Sequence, residues 1–251
     1  MKKIKKWLFK YIGLIKIPDR KFLAYAREFF SYDSIKEARR ACEKSYKKFK
    51  KDWALFSEKK GRAPALREEL LKFYTSTDVY VVGLIEWHSR LGPRRMQRAI
   101  AKNCSGKVLD YGGGIGNFSL NAWKRGCDVT YAEVEGKTGD FAKFLFSKEN
   151  AKIKVLTVPK DAGKLEMYDT ILFLDVIEHL SDEDQRIVLK KLIAHLTPGG
   201  KLIITNYMCE GTDKETPMDR KVCYDVKKYL LENGFEQVNW FIFRKKDSKH
   251  I

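Results

Sequence analysis

The sequence predicts an α/β fold whose short strands run mostly parallel and alternate with helices. Three observations lead to this fold class. A glycine-rich turn at residues 112–116 joins an apolar run to a helix-like segment. Residues 170–174 are apolar on both faces, which is typical of a buried parallel strand. Strand-like and helix-like segments follow one another in order as far as residue 246, as they do in repeated βαβ units.

The first predicted strand, 107–109, ends at Asp110 and leads into the glycine-rich turn. Glycine tolerates positive φ and has no Cβ, so a turn built on Gly112, Gly114 and Gly116 lets backbone N–H groups approach a ligand closely. An acid beside such a turn suits a ligand with a cationic end better than a bare phosphate. Taken alone, the turn is also compatible with a strand–helix connection that binds nothing.

Two other glycine-rich loops fit these residues less well. The dinucleotide fingerprint requires a third small residue, and that position is Asn117 in one register and Ser119 in the other. The phosphate loop of nucleotide hydrolases requires a Gly-Lys-Ser/Thr motif that follows its first glycine after four free positions, and the glycine-rich turn is not followed by that motif.

Three motifs together resemble the class I S-adenosylmethionine-dependent methyltransferases. Residues 110–116 resemble the first motif of that family, and Leu-Thr-Pro-Gly-Gly-Lys-Leu at 196–202 is typical of it. Asp-Val-Ile-Glu-His-Leu at 175–180 strongly resembles the fourth-strand motif of the small-molecule and lipid-quinone branch. The resemblance covers residues 106–246. It implies S-adenosyl-L-methionine as cofactor and a Rossmann-like, seven-stranded, mostly parallel sheet with helices on both faces, preceded by an N-terminal helical extension.

The resemblance also implies where the cofactor is held, beginning with Asp110 and the three glycines. The second predicted strand ends at Glu133, which matches the family's ribose-binding acid; Glu135 takes this role if the strand ends later. The third predicted strand, 153–158, is followed by Asp161 and Ala162, where a loop acid of the family often bonds the adenine amino group.

Asp175 follows the fourth predicted strand, at the edge of the sheet where ligands of open α/β folds bind. We expect it to line the methyl site and to contact the cofactor. His179 is the best-placed histidine for removing a proton from a hydroxyl acceptor. Asp175, Glu178 and His179 would hold a divalent metal if they shared one helical turn. A metal is not expected, because Asp175 is one methylene shorter than the acid of the metal-binding pattern and no further ligand is evident.

The C-terminal part of the sequence is predicted to complete the sheet. Ser181 is a predicted N-cap, with acids in the first turn that follows it. Asn206 and Tyr207 come at the end of the fifth predicted strand and are candidate substrate residues. In chain order, the predicted elements are a helix ending near residue 195, a strand beginning at 201, a helix at about 225–233 and a single aromatic strand at 237–244.

Residues 1–102 are predicted as a basic helical region in front of the methyltransferase domain, 103–251. Helices before the first strand commonly form a lid over the acceptor pocket in the family that this sequence resembles. Tyr80, Trp87 and His88 lie on one such predicted helix and are candidate lid and substrate residues, although for each residue taken singly ordinary packing is the better explanation.

The formal net charge of +17 is concentrated in the N-terminal part, where residues 1–100 hold 26 Lys and Arg against 11 Asp and Glu. This asymmetry favours an anionic partner, either a membrane surface, a nucleic acid or an acidic substrate. In residues 1–17, apolar side chains recur on one helical face and most lysines lie off it. Such an amphipathic helix either lies on an anionic membrane surface or docks on the core of the protein.

The remaining features limit the class of protein. The 251 residues include no run of eighteen apolar residues, so no membrane-spanning helix is expected. The five cysteines have neither metal-like nor disulfide-framework spacing, which favours a reducing environment. A cytoplasmic location is therefore expected, with peripheral attachment to the inner face of the membrane as an alternative. Three functions remain open: methylation of a small-molecule or lipid-like acceptor, methylation of RNA, and binding without catalysis. The sequence lacks the Asn/Asp-Pro-Pro-Tyr/Phe motif of many methyltransferases that act on nucleic-acid bases. This absence favours a small-molecule or lipid-like acceptor.

Overall fold

The structure, a computed structural model, describes residues 19–58, 72, 75, 77–208 and 222–247. The predicted amphipathic helix at 1–17 lies outside these residues. Among the described helices, none is both long and apolar enough to cross a membrane.

Among the described residues, four helices precede the sheet, in the region 1–102 that the sequence predicts to be helical. They are α1 (Arg20–Phe29), α2 (Ile35–Glu58), α3 (Asp78–Ser89) and α4 (Leu91–Ala101). Asp19 caps α1 and Thr77 caps α3 by accepting hydrogen bonds from backbone N–H groups of the first turn. Gly92 and Pro93 both lie inside the first turn of α4. Proline is tolerated there because the first turn of a helix has no use for its missing N–H.

The seven strands form one sheet with the order β3-β2-β1-β4-β5-β7-β6, which confirms the predicted fold class. Strands β1 to β5 pair in parallel, while β7 is antiparallel to both β5 and β6. The strands are β1 (Lys107–Tyr111), β2 (Asp128–Glu133), β3 (Lys154–Thr157), β4 (Tyr168–Phe173), β5 (Leu196–Ile204), β6 (Phe235–Asn239) and β7 (Ile242–Lys245).

Helices cover both faces of the sheet because each central strand is apolar on both sides. Val108 and Leu172 pack with α4 and with α5 (Asn117–Trp123) on one face. Their strand neighbours Leu109 and Ile171 pack on the other face, with α7 (Asp182–Ala194) and α8 (Val226–Glu232). The alternation follows from the two-residue period of a strand. A further helix, α6 (Lys137–Lys148), follows β2.

Two predicted boundaries in the C-terminal part are wrong. The fifth strand begins at Leu196 instead of residue 201, because Leu196 pairs with Tyr168 ahead of a register shift. The single aromatic strand predicted at 237–244 is a hairpin of β6 and β7. Its turn forms because Asn239 Oδ1 accepts hydrogen bonds from the N–H groups of the residues two and three positions later.

The N-terminal helices pack directly on the part of the chain that forms the sheet. Leu23 of α1 and Val81 of α3 share a buried cluster with Ile115 of the glycine-rich turn and Phe141 of α6. Glu149, just after α6, accepts a hydrogen bond from Tyr25 at 2.7 Å. The helices therefore lie against the predicted binding loop, while the predicted domain boundary after residue 102 stays a prediction.

Ion pairs strengthen this contact. Glu149 lies 2.6 Å from Lys21 of α1 and 2.9 Å from Lys124. Burial raises the pKa of its carboxyl, but the hydrogen bonds from Lys124, Lys21 and Tyr25 outweigh burial and lower the pKa to about 2. Glu149 is therefore ionised at neutral pH and holds α1 against the end of α6.

Candidate active site

The glycine-rich turn lies between β1 and α5 and has the backbone conformation that its glycines predict. Gly112, Gly114 and Gly116 have φ values of 71°, 55° and 79°, in the left-handed region that favours glycine. A Cβ at Gly112 would lie 2.5 Å from the Val176 side chain, so the turn approaches the end of β4 closely. A Cβ at Gly114 would have no atom within 4 Å, so the turn has open space in front of this residue.

Asp110 lies beneath this turn with its side chain only 1% exposed. Its Oδ2 accepts a hydrogen bond of 2.7 Å from Ser119 Oγ on α5. Burial raises the pKa of the Asp110 carboxyl to about 6, although the hydrogen bonds from Ser119 oppose the shift. From this position, Asp110 holds the turn to the first part of α5. Its assignment as a cofactor-binding residue stays a prediction.

Glu133 ends β2 beside the same turn, as predicted. Its Oε2 accepts from Gly114 N–H at 2.7 Å and its Oε1 from Val134 N–H at 2.8 Å. Burial raises the pKa of the carboxyl to about 7, although these two hydrogen bonds lower it. Each oxygen retains a lone pair, and none of the ion pairs of the described residues involves Glu133. The carboxylate therefore suits a ligand that brings hydroxyl donors or positive charge.

Asp161 follows β3, as predicted, and its side chain is engaged within its own loop. Oδ2 accepts from Thr157 N–H at 2.9 Å and Oδ1 lies 2.7 Å from Lys164 Nζ. These contacts, led by the hydrogen bond from Lys164, lower the pKa of the carboxyl. Ala162 begins a short 3-10 turn, and its N–H donates to the Pro159 carbonyl. The roles of Asp161 and Ala162 at an adenine ring stay predictions.

Asp175 stands just after β4 in a left-handed conformation, with φ 53°. Thr205 Oγ1 donates to Asp175 Oδ1 at 2.7 Å, and Asn206 Nδ2 donates to the same oxygen at 3.1 Å. The backbone N–H of Asp175 donates back to Thr205 Oγ1 at 2.8 Å. The side chain stays accessible to solvent, yet the protein packed around it raises the pKa of its carboxyl. The carboxylate is thus fixed through Oδ1 and presents Oδ2 to the solvent side.

Glu178 and His179 lie on a 3-10 turn (Ile177–His179) that begins after Asp175. Asn206 Nδ2 also donates to Glu178 Oε1. Burial lowers the pKa of His179 to about 4, so its imidazole is neutral at pH 7.

The helical turn suggested for Asp175, Glu178 and His179 does not form. The left-handed backbone at Asp175 separates it from the 3-10 turn, so the three residues do not share one helical face. The described residues contain no group of three or more His, Cys, Asp or Glu side chains that could hold a metal ion.

Among the candidate lid residues, Tyr80 of α3 lies near the acids Glu133, Asp175 and Glu178. Its side chain is half-buried. Burial raises the pKa of its hydroxyl, and the nearby negative charges of Glu133, Asp175 and Glu178 raise it further. The hydroxyl therefore stays protonated, and its side chain lies close enough to these acids to be affected by their charges.

The other candidate substrate residues lie elsewhere. His88 is two helical turns beyond Tyr80, where Gln97 Nε2 lies 2.9 Å from its Nδ1 and its ring contacts Phe118 edge-on. Trp87 is 38% exposed, and the Arg90 guanidinium lies over its ring.

Tyr207 is buried in the core instead of lining the site. Its hydroxyl donates to the Trp240 carbonyl at 2.6 Å, and its ring packs edge-on against Phe243. The positions of Trp87, His88 and Tyr207 therefore add no support to their assignment as substrate residues, whereas Asn206 lies beside Asp175.

Two residues of the site were missed by sequence reasoning. Thr205 precedes Asn206 at the carboxyl end of β5, and the argument from strand ends that selected Asn206 applies equally to Thr205. Ser119 was considered only as a position that does not fit the dinucleotide fingerprint. Its hydrogen bond to Asp110 has no signal in the sequence, because it depends on how α5 packs on β1.

The arrangement fits the cofactor that the sequence implies. The space in front of Gly114 admits a ligand next to the main chain. Glu133 offers a carboxylate that suits ribose hydroxyls, and Asp175 offers negative charge across the sheet edge. A sulfonium nucleoside carries both kinds of complementary group, a diol and a positive charge.

Comparison with known proteins gives a partial match to one curated relative. A stretch of 94 residues is 33% identical to the 23S rRNA (uracil(747)-C(5))-methyltransferase of Pyrococcus horikoshii. The match covers 37% of this chain and 23% of that protein, so the chain spans about a quarter of the relative's length.

Solved structures are similar to this chain in fold. The magnesium protoporphyrin IX methyltransferase of Synechocystis PCC 6803, solved with bound S-adenosylmethionine, gives a TM-score of 0.52 at 20% identity, over 71% of this chain and 93% of that one. An O-methyltransferase family protein from Burkholderia thailandensis gives a TM-score of 0.53 at 13% identity, over 69% of this chain and 60% of that one. At these identities the likeness shows the fold alone.

The family comparison is more extensive. A family model described as a methyltransferase domain matches residues 84–239, which is more than half of the chain. The match begins on α3 and ends on β6, so it includes the glycine-rich turn, Glu133, Asp175 and Asn206. The chain therefore belongs to the methyltransferase-domain family.

Proposed function

We propose that this enzyme transfers a methyl group to an oxygen or nitrogen atom of a small-molecule or lipid-like acceptor. The acceptor binds between α3 and the carboxyl ends of β4 and β5. The observation that carries this proposal is the fixed carboxylate of Asp175, which is held through Oδ1 by Thr205 and Asn206. A nucleophile that reaches this edge meets Oδ2 at a defined position.

In this proposal the cofactor lies along the carboxyl edge of the sheet. Glu133 accepts hydrogen bonds from the ribose hydroxyls, the loop of Asp161 and Ala162 borders the adenine, and the glycine-rich turn supplies a surface without side chains. S-adenosyl-L-methionine supplies a methyl group that is already activated by attachment to a sulfonium. The protein therefore has to bind, align the acceptor and exclude water.

Asp175 is the proposed base for an acceptor that loses a proton. Its raised pKa brings it closer to the range in which a base works at neutral pH. The acceptor proton moves to Oδ2, while Thr205 and Asn206 hold Oδ1 in place. Tyr80 of α3 borders the acceptor in this proposal. His179 is a second proposed base, although a pKa of about 4 makes its imidazole weakly basic.

The excess of basic residues in the N-terminal part supports an anionic partner. We propose that residues 1–17 attach the enzyme to an anionic membrane surface, which would place the enzyme in the cytoplasm at the inner face of the membrane. Co-sedimentation with vesicles that contain anionic lipid tests this part of the proposal. Deletion of residues 1–17 should abolish co-sedimentation and spare cofactor binding, and sedimentation of the truncated enzyme would contradict the membrane role.

Methylation of RNA is the second candidate function, and a specific observation favours it. The curated relative that matches 94 residues is named as a methyltransferase of 23S rRNA. The same basic residues that suit a membrane surface also suit phosphates. This function predicts binding to RNA that weakens steeply as the salt concentration rises.

One activity screen separates the two functions. The enzyme is incubated with radiolabelled S-adenosylmethionine and with separate lipid, metabolite and RNA fractions of cells. The proposal expects label in the lipid or metabolite fraction, and much less label when Asp175→Asn replaces the wild-type enzyme. Asp182→Asn is the matched control, because Asp182 is an exposed acid in the first turn of α7. Label confined to RNA would overturn the proposal in favour of the second candidate.

A further inference from the structure

A tyrosine hydroxyl lies directly beneath the glycine-rich turn, which is the loop expected to bind the cofactor. Tyr131 of β2 is 1% exposed, and its hydroxyl donates a hydrogen bond of 2.5 Å to the carbonyl oxygen of Gly114. Burial raises the pKa of this hydroxyl well above its ordinary value, and the nearby charges of Glu133 and Asp110 act in the same direction. The hydroxyl therefore keeps its proton at neutral pH and can donate.

Gly114 is held to β2 through both of its polar main-chain groups. Its N–H donates to Glu133 Oε2 and its carbonyl accepts from Tyr131. Residues 131 and 133 lie on the same face of the strand because side chains alternate along it. The strand that carries the predicted ribose-binding acid therefore also fixes the middle of the loop.

The peptide that joins Gly114 to Ile115 is held from two sides. Tyr131 fixes its carbonyl, and the Ile115 side chain is buried above the loop among residues of α1 and α3. This peptide is not among the cis peptides of the described residues. In a planar trans peptide the C=O and N–H groups point in opposite directions. With the carbonyl directed at Tyr131, the Ile115 N–H is directed to the other side of the loop.

The ring of Tyr131 has a packing role that can be separated from that of the hydroxyl. A Cβ at Gly113 would lie 2.6 Å from the ring, so the loop backbone rests on it. The ring also packs edge-on against Phe146, with centroids 5.4 Å apart. Phenylalanine at position 131 would keep both contacts. The hydroxyl adds one hydrogen bond among the described residues, the one to Gly114.

We propose that the Tyr131 hydroxyl is a positioning group for the cofactor. It does not touch the reacting atoms. It fixes the peptide between Gly114 and Ile115, so that the Ile115 N–H is already oriented when the cofactor arrives. A loop that is ordered before binding does not pay the conformational entropy of ordering at that step. The proposal rests on the cofactor that the family uses and is independent of the acceptor.

The test compares two substitutions that each remove one buried tyrosine hydroxyl. Tyr131→Phe removes the hydroxyl beneath the loop. Tyr168→Phe is the matched control, because Tyr168 is also 1% exposed and lies in the same sheet, at the opposite end of β4 from the cofactor edge. Calorimetry with S-adenosylhomocysteine gives the affinity of each folded variant, and thermal melting gives its stability.

Tyr131→Phe should weaken the affinity for S-adenosylhomocysteine about tenfold, the size expected for one lost hydrogen bond. In turnover the loss should appear mainly as a raised KM for the methyl donor, with kcat changed much less. Tyr168→Phe should leave the affinity within about twofold of the wild type, whatever it does to the melting temperature. The proposal is overturned if Tyr131→Phe binds as tightly as the wild type, or if both variants lose affinity in proportion to their loss of stability.

A second measurement uses the wild-type enzyme and does not depend on the folding of a variant. Hydrogen exchange of the backbone amides of residues 113–116 reports whether the loop is ordered without cofactor. Protection of these amides before S-adenosylhomocysteine is added agrees with the proposal. Exchange as fast as in an exposed coil, followed by protection only with the ligand, would show that the loop is not held in advance.

Discussion

The two sides of the active site are built in different ways. The proposed cofactor side consists of Asp110, the glycine-rich turn and Glu133, which lie within one βαβ unit and are joined by the hydrogen bonds from the Gly114 N–H to Glu133 and from Ser119 to Asp110. The proposed acceptor side consists of Asp175, Thr205, Asn206 and Tyr80, whose side chains come from α3 and from the ends of two neighbouring strands. The first side depends on local backbone conformation and the second on how distant segments pack.

This difference suggests how each side responds to substitution. A change on the cofactor side alters a surface that the main chain provides, so the affinity for the cofactor should change while the chemistry stays intact. A change on the acceptor side removes a side chain from a short hydrogen-bonded set, so kcat should fall while the cofactor still binds. The predictions below test this separation in order of decreasing effect.

Asp175→Asn should have the largest effect, a fall in kcat of about 100-fold or more, because it removes the proposed base. Asparagine is well suited to the left-handed backbone of residue 175, as the φ of 54° at Asn206 illustrates. Its side-chain oxygen can still accept from Thr205 and Asn206. The affinity for S-adenosylhomocysteine should stay within about twofold of the wild type, by calorimetry.

Asp182→Asn serves as the control for this change, since it removes an acid from an exposed position on α7. It should leave both kcat and affinity close to the wild type. If Asp175→Asn keeps its kcat, Asp175 is not the base. If it loses cofactor affinity instead, the two sides of the site are not separate.

Glu133→Ala should weaken the affinity for S-adenosylhomocysteine by about 10- to 100-fold, through the loss of the ribose hydrogen bonds. Glu135→Ala is a close control, because Glu135 lies two residues later and is exposed. Calorimetry on both variants decides between the two acids. A loss confined to Glu135→Ala would move the ribose assignment to that residue.

The cofactor side could be predicted from the sequence because its signals are local. Asp110, the three glycines and Glu133 lie within one strand–turn–helix–strand unit, and each is marked by residue type and spacing. The mostly parallel sheet could be predicted in the same way, since residues 170–174 are apolar on both faces. Tyr131 was missed, since a tyrosine in a buried strand gives no sign that its hydroxyl reaches a neighbouring loop.

The acceptor side could be predicted only in part. Asp175 and Asn206 were selected because ligands bind where parallel strands end, and their roles stay predictions. The helical turn assumed after Asp175 was wrong, because a left-handed residue at a strand end depends on its hydrogen bonds to another strand. His88 and Tyr207 were selected by chain position alone, whereas helix and core packing decide which way such side chains face.

The pH dependence of cofactor binding should distinguish the two sides further. Burial raises the pKa of Glu133 to about 7, and the ribose contact needs the ionised carboxylate. The Glu133 carboxyl is ionised in about a tenth of the cofactor-free molecules at pH 6 and in about nine tenths of them at pH 8. The affinity for S-adenosylhomocysteine should therefore rise about tenfold over this range. Glu133→Gln should bind more weakly and lose this dependence, while Glu135→Gln should keep it.

The same shift affects stability with a defined sign. Between about pH 4.5 and 7, the folded protein keeps a proton on Glu133 that the unfolded chain releases. This group therefore makes the cofactor-free fold less stable as the pH rises through that window, and its contribution is constant above it. The free energy of unfolding, measured with denaturant, should fall less for Glu133→Gln than for the wild type as the pH rises from about 4.5 to 7. Equal slopes would mean that the Glu133 pKa is not raised.

His179→Gln should have the smallest effect, a fall in kcat of less than about tenfold, because an imidazole with a pKa of about 4 is a poor proton acceptor at neutral pH. His179→Ala should slow a hydroxyl acceptor more than an amine acceptor. His195→Gln is the control, since His195 lies at the far end of α7 with its Nδ1 2.8 Å from the Lys191 carbonyl. If His179→Gln instead loses as much activity as Asp175→Asn, the imidazole is the base. The fixed carboxylate of Asp175 would then serve to align the acceptor, and the acceptor side would divide its two tasks between the end of β4 and the 3-10 turn that follows.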